Sequence, residues 1–154
     1  MTFRIKGLAA APFQALFGLD DDALAARDMR RMLADEPHAA PCRVTLEDAE
    51  PGERLILLPY AHHTARSPYR ASGPIFVREA ARDAFDAVGT LPPAFQGRML
   101  SVRAYDAEGL MTAADLADSD PRPLFETFFV DPDVAHIDVH YARRGCFSCR
   151  VERA

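Results

Sequence analysis

The chain has 154 residues, 49% of them hydrophobic and 27% charged, and its 23 acidic side chains exceed its 18 basic ones to give a net charge of -5. These values are typical of one folded domain and exclude a disordered chain, while the acidic balance argues against a nucleic-acid-binding protein. No apolar run approaches the ~20 residues of a membrane-spanning helix, and three cysteines are too few for a disulfide framework. We therefore expect a soluble cytoplasmic protein without nucleic-acid or membrane partners.

The first part of the chain predicts a strand and two short helical segments, followed by one segment for which the sequence does not decide between helix and strand. Apolar residues alternate with basic ones over residues 3–6, which is the period-two pattern of a half-buried strand. Pro12 suits the first position of a helix, and Asp20 to Asp22 are the acidic residues that favour the start of the next one. Residues 28–34 fit either a continuation of that second helix or a separate strand.

The middle of the chain predicts two strands followed by a helix. Residues 54–61 begin with RLILLPY, which is apolar at both alternating sets of positions and therefore indicates a central strand with Pro59 near its end. The sequence PIFVRE, at 74–79, predicts a second strand. The stretch 79–89 predicts a helix, because its apolar residues recur at helical spacing before a glycine. That apolar stripe consists of Ala81, Ala84, Phe85 and Val88.

The last third predicts a hairpin over 99–117, a helix begun by Asp120 and Pro121, and a second hairpin over 134–153 that turns at Gly145. Strands outnumber helices, and most connections are hairpins rather than long crossovers. The elements together predict an α+β fold. We expect a single domain over the whole chain, with an antiparallel-rich mixed sheet of about six or seven strands and about two to four short helices packed on it.

Three segments carry a resemblance to a known family. They are PCRVTLEDAEPGERLILLPYAHH, SPYRASGPIFVRE and RRGCFSCRVER. In this order they resemble the bacterial domain-of-unknown-function family number 1203. The resemblance runs from FRIKGL near the start of the chain to RVER near its end, which implies one intact domain. It implies no reaction, cofactor or catalytic residue, so the functional expectations rest on individual side chains.

His136, Asp138 and His140 stand at every second position of a predicted strand, so their side chains project from one face. Two imidazoles two residues apart can hold one metal ion together with the intervening carboxylate, as in the open zinc site of a metal-dependent hydrolase. The same row can act without metal as a catalytic acid and base, because a histidine titrates near neutral pH. The third interpretation is a solvated strand face without any function.

The polar loop at 62–73 predicts a binding site for a small anion. Its candidate ligand-binding residues are His62, Tyr69, Arg70, Ser72 and Gly73. Arg70, the Ser72 hydroxyl and the Gly73 amide can receive a carboxylate or phosphate, and Tyr69 can form a flat stacking wall. A loop held by a rigid scaffold is a common place for such groups. A plain connection held by a buried tyrosine and an arginine ion pair is the alternative.

Two further predictions concern side-chain direction. In an extended chain His62 shares a face with Tyr60, while His63 points to the other face or begins the loop. Cys146 and Cys149 are three positions apart in a predicted strand, so they also project from opposite faces and do not pair without a bulge. Cys146 directly follows the hairpin turn, and it is the thiol that we expect beside the ligand.

The preferred functional hypothesis is a cytoplasmic domain that binds a small polar or anionic molecule between the 62–73 loop and the C-terminal hairpin, with acid/base chemistry by a histidine. One alternative is a non-catalytic interaction protein that forms a homodimer. The other is a metal-dependent hydrolase built on His136, Asp138 and His140. The sequence identifies no cofactor, and it does not decide whether the protein is an enzyme.

Overall fold

The computed structural model describes residues 1–154 as two antiparallel sheets with three short α-helices. In chain order the elements are β1 (Phe3–Lys6), α1 (Ala11–Gln14), α2 (Asp21–Ala25), β2 (Arg30–Leu33), β3 (Arg54–His63), β4 (Ala71–Arg78), β5 (Asp86–Val88), β6 (Met99–Tyr105), β7 (Met111–Asp118), α3 (Arg122–Phe128), β8 (His136–Tyr141) and β9 (Cys146–Arg153). The main sheet has the strand order β5-β1-β9-β8-β6-β7, and the small sheet has the order β2-β3-β4. The α+β class is confirmed, with the strands divided between two sheets. None of the helices is long and apolar enough to span a membrane.

The apolar core of the main sheet lies on the face that α3 covers. Leu100 and Val102 of β6 and Ile137 and Val139 of β8 are fully buried there, together with Phe125 of α3. Each buried side chain of this size stabilises the fold by about 1.5–3 kcal/mol. Because a shift by one residue would turn these side chains outward, their burial fixes the register of the hairpins.

The small sheet packs its apolar face against the N-terminal helices. Ile56 and Leu58 of β3 and Ile75 of β4 form a cluster with Phe13 of α1 and Leu24 of α2. The C-terminal end of β3 extends beyond this cluster. That end carries the polar residues of the candidate site.

The predicted central strand is present, but Pro59 lies inside it rather than near its end. β2 pairs with β3 only from Arg54 to Leu57, so beyond that point β3 has β4 as its single neighbour. A proline has no N–H to donate, and a position with only one neighbouring strand tolerates this lack. The prediction for Pro59 is wrong because the sequence does not show where a neighbouring strand ends.

The helix predicted over 79–89 is also wrong, since this stretch contains a turn and then β5. Phe85 donates its N–H to Val44 at 2.8 Å and accepts from the N–H of Gly7 at 2.8 Å, which holds the chain along the edge of β1. Asp86 adds a two-bond ion pair with Arg4. A helix of this length is marginal without tertiary packing, so the edge of the main sheet determines the local structure. Residues 28–34, for which the sequence fits either a helix or a strand, contain the strand β2.

Candidate functional site

The C-terminal end of β3 lies over the polar face of the main sheet, and four of the five histidines meet there. The ring of His62 stacks on Phe147 of β9 with 5.3 Å between ring centroids, and it meets the ring of His140 edge-on at 5.0 Å. The ring of His63 lies 6.0 Å from that of His136. We call this group the histidine layer; it consists of His62, His63, His136, Asp138 and His140.

A β-bulge at the end of β3 brings both neighbouring histidines to this face. Ala61 pairs with Ser72 and His63 pairs with Ala71, so His62 is an extra residue without a partner on β4. Both rings therefore contact the main sheet, and His63 is 2% exposed. The prediction that His63 points away from His62 is wrong, because strict alternation holds only in a strand without a bulge.

The polar row predicted on β8 is buried. Asp138 is 0% exposed and His140 is 1% exposed, while the side chain of His136 is 16% exposed. The small sheet covers this face, and the opposite face of β8 supplies Ile137 and Val139 to the apolar core. The interpretation of a solvated strand face is therefore wrong, since β8 lies in the interior between two layers.

Arginine on a neighbouring strand holds the carboxylate of Asp138. Arg150 donates from Nε to Oδ1 at 2.8 Å and from Nη2 to Oδ2 at 3.2 Å. Its Nη2 also donates to the carbonyl of His62 at 3.3 Å, so Arg150 ties the two sheets together. Arg103 stands opposite Asp138 on the other neighbouring strand, β6. A buried carboxylate requires such partners, because its desolvation is costly.

Three ring nitrogens of the histidine layer are buried without a hydrogen-bond partner in the chain: His62 Nδ1, His136 Nε2 and His140 Nε2. Desolvation lowers the pKa of all three side chains, and the pKa of His140 falls to about 4. His140 Nδ1 lies 3.2 Å from the carbonyl of Gly145 and donates to it, because a carbonyl only accepts. The lowered pKa values keep the three imidazoles neutral at pH 7, and the unprotonated Nε2 of His140 holds a lone pair that a ligand can use.

The loop between β3 and β4 reaches the histidine layer through residues other than the predicted arginine. The carbonyl of Gly109 accepts from His63 Nε2 at 2.9 Å and from Ser67 Oγ at 2.8 Å. The ring of Tyr69 lies 6.2 Å from that of Tyr105, which in turn lies 4.3 Å from the ring of His63. The loop is thus anchored beside the layer by a hydroxyl and a tyrosine ring.

The other predicted loop residues do not join this group. Arg70 and Ser72 are exposed, and neither side chain makes a hydrogen bond or an ion pair. Gly73 lies in β4, where it pairs with Tyr60. The structure therefore brings His62 to the C-terminal hairpin and Tyr69 to Tyr105 of β6, but it leaves the side chains of Arg70 and Ser72 in solvent.

A cleft of about 450 Å³ opens at the turn end of the hairpin formed by β8 and β9. We call it the arginine cleft, after its lining residues Arg43, Arg98, Arg143 and Arg144. Tyr141 and Cys146 line it from the hairpin strands, and Glu36 is the single acidic side chain in its lining. Arg143 and Arg144 lie in the turn, where they are exposed and make no side-chain hydrogen bond or ion pair.

Arg43 is the buried member of the arginine cleft, with an exposure of 1%. Its Nε donates to the carbonyl of Phe147 at 2.6 Å, its Nη2 donates to Cys146 Sγ at 3.0 Å, and its Nη1 donates to the carbonyl of Pro41. No carboxylate pairs with it. A guanidinium has more N–H donors than these three bonds use, so Arg43 retains the capacity to bind an anion.

Two guanidinium groups of the arginine cleft lie over the ring of Tyr141. The Cζ atoms of Arg43 and Arg98 lie 5.0 Å and 5.2 Å from the centroid of its ring. Burial raises the pKa of Tyr141 to about 12, so its hydroxyl stays protonated. Arg98 differs from Arg43 because it has a carboxylate partner, Asp48, at 2.6 Å and 2.9 Å. Of the two guanidinium groups beside Tyr141, only that of Arg43 lacks a carboxylate partner.

The two cysteines of the hairpin face the same side of the sheet. Cys146 pairs with Tyr141 and Cys149 pairs with Val139, so Ser148 is an extra residue in β9. The prediction of opposite faces is wrong, because the extra residue in the bulge turns Cys149 to the same face as Cys146. Both thiols are free, and burial raises the pKa of Cys149 to about 12. Cys146 lines the arginine cleft, so it is separate from the histidine layer.

The sequence did not identify the arginines beside the histidine layer or those of the arginine cleft. Arginine supplies 17 of the 18 basic residues, so its presence at any one position carries little information. The usable signal is the segment CRVTL, in which Arg43 stands between two residues of apolar character and is therefore a candidate for burial. Arg150 and Arg103 become informative only when the strand register shows that they flank Asp138.

The fold and the two polar regions define an α+β domain in which a small antiparallel sheet covers a histidine layer on a larger one, with an arginine-lined cleft beside it. No curated protein and no solved structure matches the chain. A family model described as a protein of unknown function, DUF1203, matches residues 39–153. The chain belongs to this family, which confirms the resemblance of its three segments. The matched range contains the whole histidine layer and all four arginines of the cleft.

Proposed function

We propose that this protein binds a small anionic molecule, one that carries a phosphate or carboxylate group, in the arginine cleft. The observation that supports the proposal is the environment of Arg43. Arg43 is 1% exposed and borders the cleft, and its guanidinium hydrogen-bonds only to two carbonyls and a thiol group. A buried charge without a counter-charge is costly, and an anion in the cleft supplies the missing partner.

The charge balance of the cleft favours an anion although the chain as a whole is acidic. Four arginines oppose one glutamate in the lining, whereas the net charge of the chain is -5. Arg143 and Arg144 have no partner that competes for their guanidinium groups. A guanidinium binds phosphate or carboxylate through two parallel hydrogen bonds, so these side chains suit the same ligand as Arg43.

The size and walls of the cleft favour an organic anion over a bare ion. Its volume of about 450 Å³ falls within the range of about 300–1,000 Å³ that is typical of small-molecule sites. Phe76, Met99 and the ring of Tyr141 supply apolar surface to the lining. We infer a ligand that has an apolar or ring portion beside its charged group.

The proposed site keeps the predicted ligand class and the C-terminal hairpin, but it replaces the 62–73 loop. Tyr141 and Cys146 project from the face of the hairpin opposite to the histidine layer. Tyr141 is on the same face of β8 as the core residue Val139, and Cys146 pairs with Tyr141. His136 and His140 therefore take no part in binding at the cleft. The proposal is for ligand binding, without acid/base catalysis by these histidines.

The test is isothermal titration of the full chain with phenyl phosphate, benzoate and inorganic phosphate at low salt. The double variant Arg143→Ser/Arg144→Ser is expected to weaken binding of phenyl phosphate about tenfold or more, since a hydrogen bond to a charged group contributes about 1.5–3 kcal/mol. The matched control, Arg66→Ser/Arg70→Ser, removes the same charge from the 62–73 loop. It is expected to leave the affinity unchanged.

Three outcomes contradict the proposal. Absence of binding of all three probes by the folded wild-type protein removes the site. Equal weakening in both double variants indicates attraction by net charge alone. Weakening in the Arg66→Ser/Arg70→Ser control with full affinity in the turn variant returns the site to the 62–73 loop.

A further inference from the structure

We propose that His63, His136 and Asp138 bind a divalent transition-metal ion such as Zn²⁺. One donor atom of each side chain lies within 4.8 Å of the donor atoms of the other two. His136 Nε2 lies 3.8 Å from Asp138 Oδ2. The set differs from the predicted row of His136, Asp138 and His140, because the bulge in β3 brings His63 from the small sheet into the group.

The hydrogen bond of His63 to a backbone carbonyl fixes the tautomer that a metal ligand needs. His63 Nε2 donates to the carbonyl of Gly109 at 2.9 Å, so Nε2 carries the proton and Nδ1 holds the lone pair. A backbone carbonyl that fixes the far nitrogen of a histidine is a common support in metal sites. A Cβ atom at Gly109 would lie 3.1 Å from His63 Nε2, so a glycine permits this close approach.

The ring of His136 provides a second donor that has no other partner. Its Nε2 is buried and makes no hydrogen bond within the chain, although it faces the carboxylate of Asp138. The ring stacks on Tyr105 at 5.3 Å with an angle of 18° between the planes, which restrains its orientation. Buried polar atoms nearly always have a partner, and a metal ion would supply one for this nitrogen.

The donor types and their number suit zinc. Two imidazoles and one carboxylate form the ligand set of an open tetrahedral site, in which water takes the fourth position. Donors around such an ion lie about 3.4 Å apart when the bonds are about 2.1 Å long, so the present donors close by up to about 1.4 Å on binding. Small rotations of the His63 and His136 side chains would close this distance, and the contacts of these rings with Gly109 and Tyr105 would have to adjust with them.

The arginines beside Asp138 affect the site in two ways. Arg150 occupies one lone pair on each carboxylate oxygen, which leaves a second lone pair on Oδ2 and holds the carboxylate in place. Arg103, opposite Asp138 on β6, adds a positive charge that opposes a bound cation. Removing the charge of Arg103 is therefore expected to strengthen metal binding, the opposite of what loss of a ligand does.

The test uses the full chain without a histidine tag, freed of metal by a chelator that is then dialysed away. Titration with Zn²⁺ followed by calorimetry, and with Co²⁺ followed by visible absorption, is expected to show one equivalent bound. His63→Gln and His136→Gln are each expected to lower the affinity about tenfold or more. Arg103→Gln is expected to raise it severalfold. The control His38→Gln, at an exposed histidine beside Asp48, is expected to change nothing.

Circular dichroism of each metal-free variant establishes that it is folded, and His136→Gln gives a test at a partly exposed position should His63→Gln not fold. Folded wild-type protein that binds neither Zn²⁺ nor Co²⁺ overturns the proposal. Unchanged affinity in both His63→Gln and His136→Gln also overturns it. So does a loss confined to His140→Gln, which would assign the metal to the row on β8. The arginine cleft shares none of these ligands, so failure here is independent of the proposed function.

Discussion

The histidine layer and the arginine cleft use the two faces of one hairpin, yet their unsatisfied groups are of opposite kind. In the histidine layer the one carboxylate, Asp138, is paired with Arg150, and the atoms without partners are nitrogens of neutral imidazole rings. In the arginine cleft the buried group without a counter-charge is a cation, Arg43. A single hairpin can therefore present nitrogen lone pairs to a cation on one face and N–H donors to an anion on the other.

The largest expected effect comes from removing the central charge of the histidine layer. Asp138→Asn leaves Arg150 without its carboxylate, and breaking a buried pair costs about 3–5 kcal/mol. The side chain of Arg150 is 38% exposed, so we expect the lower end of this range, about 3 kcal/mol in the free energy of unfolding by urea. The control Asp86→Asn breaks the exposed pair with Arg4 and is expected to change stability very little. Equal losses in the two variants would show that the buried pair has no special role.

The second prediction is that the buried histidines make the stability of the protein depend on pH. Burial lowers the pKa of His140 to about 4 in the folded protein, against 6.5 for an ordinary histidine. The unfolded chain binds more protons between these values, so stability is complete above pH 6.5 and falls as the pH drops toward 4. The expected contribution of this side chain is about 3 kcal/mol. His62 and His136 act in the same direction, because burial lowers the pKa of each.

Urea unfolding at pH 7 and pH 4.5, with a chelator present, measures this dependence. His140→Gln is expected to reduce the change in unfolding free energy between the two pH values. His38→Gln, at an exposed position, is expected to retain the wild-type change. A wild-type pH dependence in His140→Gln would contradict the burial of a neutral imidazole at this position.

The smallest expected difference is between two glycine variants, one of which lies at the residue that anchors His63. Gly109 and Gly145 both have a positive φ, at 80° and 77°, so alanine at either position costs about 1–2 kcal/mol in backbone strain. A Cβ at Gly109 would also lie 2.3 Å from Ala65 Cβ, whereas the space at Gly145 is open. Gly109→Ala is therefore expected to be less stable than Gly145→Ala by about 1–3 kcal/mol in urea unfolding. Equal stabilities would show that the contact beside His63 relaxes freely.

Much of the fold was predictable because its signals are local. Alternating side chains and turn residues mark both hairpins of the main sheet, and Asp120 with Pro121 marks the start of α3. The stretch 79–89 was not predictable, since its helical spacing is overridden by hydrogen bonds to Gly7 and Val44 in distant segments. Local pattern fails where an exposed sheet edge offers the backbone better partners than a short helix does.

The candidate site was predictable only in part, for the same reason. The common face of His136 and His140 follows from strand alternation, but their burial depends on β3, which is more than 70 residues earlier in the chain. The contribution of His63 depends on a bulge that no residue type announces. The lining of the arginine cleft comes from four separated segments of the chain, so no local pattern in the sequence predicts it.

The bulge at Ser148 has a consequence for how the hairpin tolerates changes in length. Because Ser148 has no partner on β8, its deletion would leave a regular strand. Cys146 and Cys149 would still face the apolar core, and Phe147 and Arg150 would still face the histidine layer. Loss of one residue elsewhere in a strand inverts everything downstream of it. Strand β9 thus contains one position, Ser148, at which a single-residue deletion would leave every other side chain on its original face.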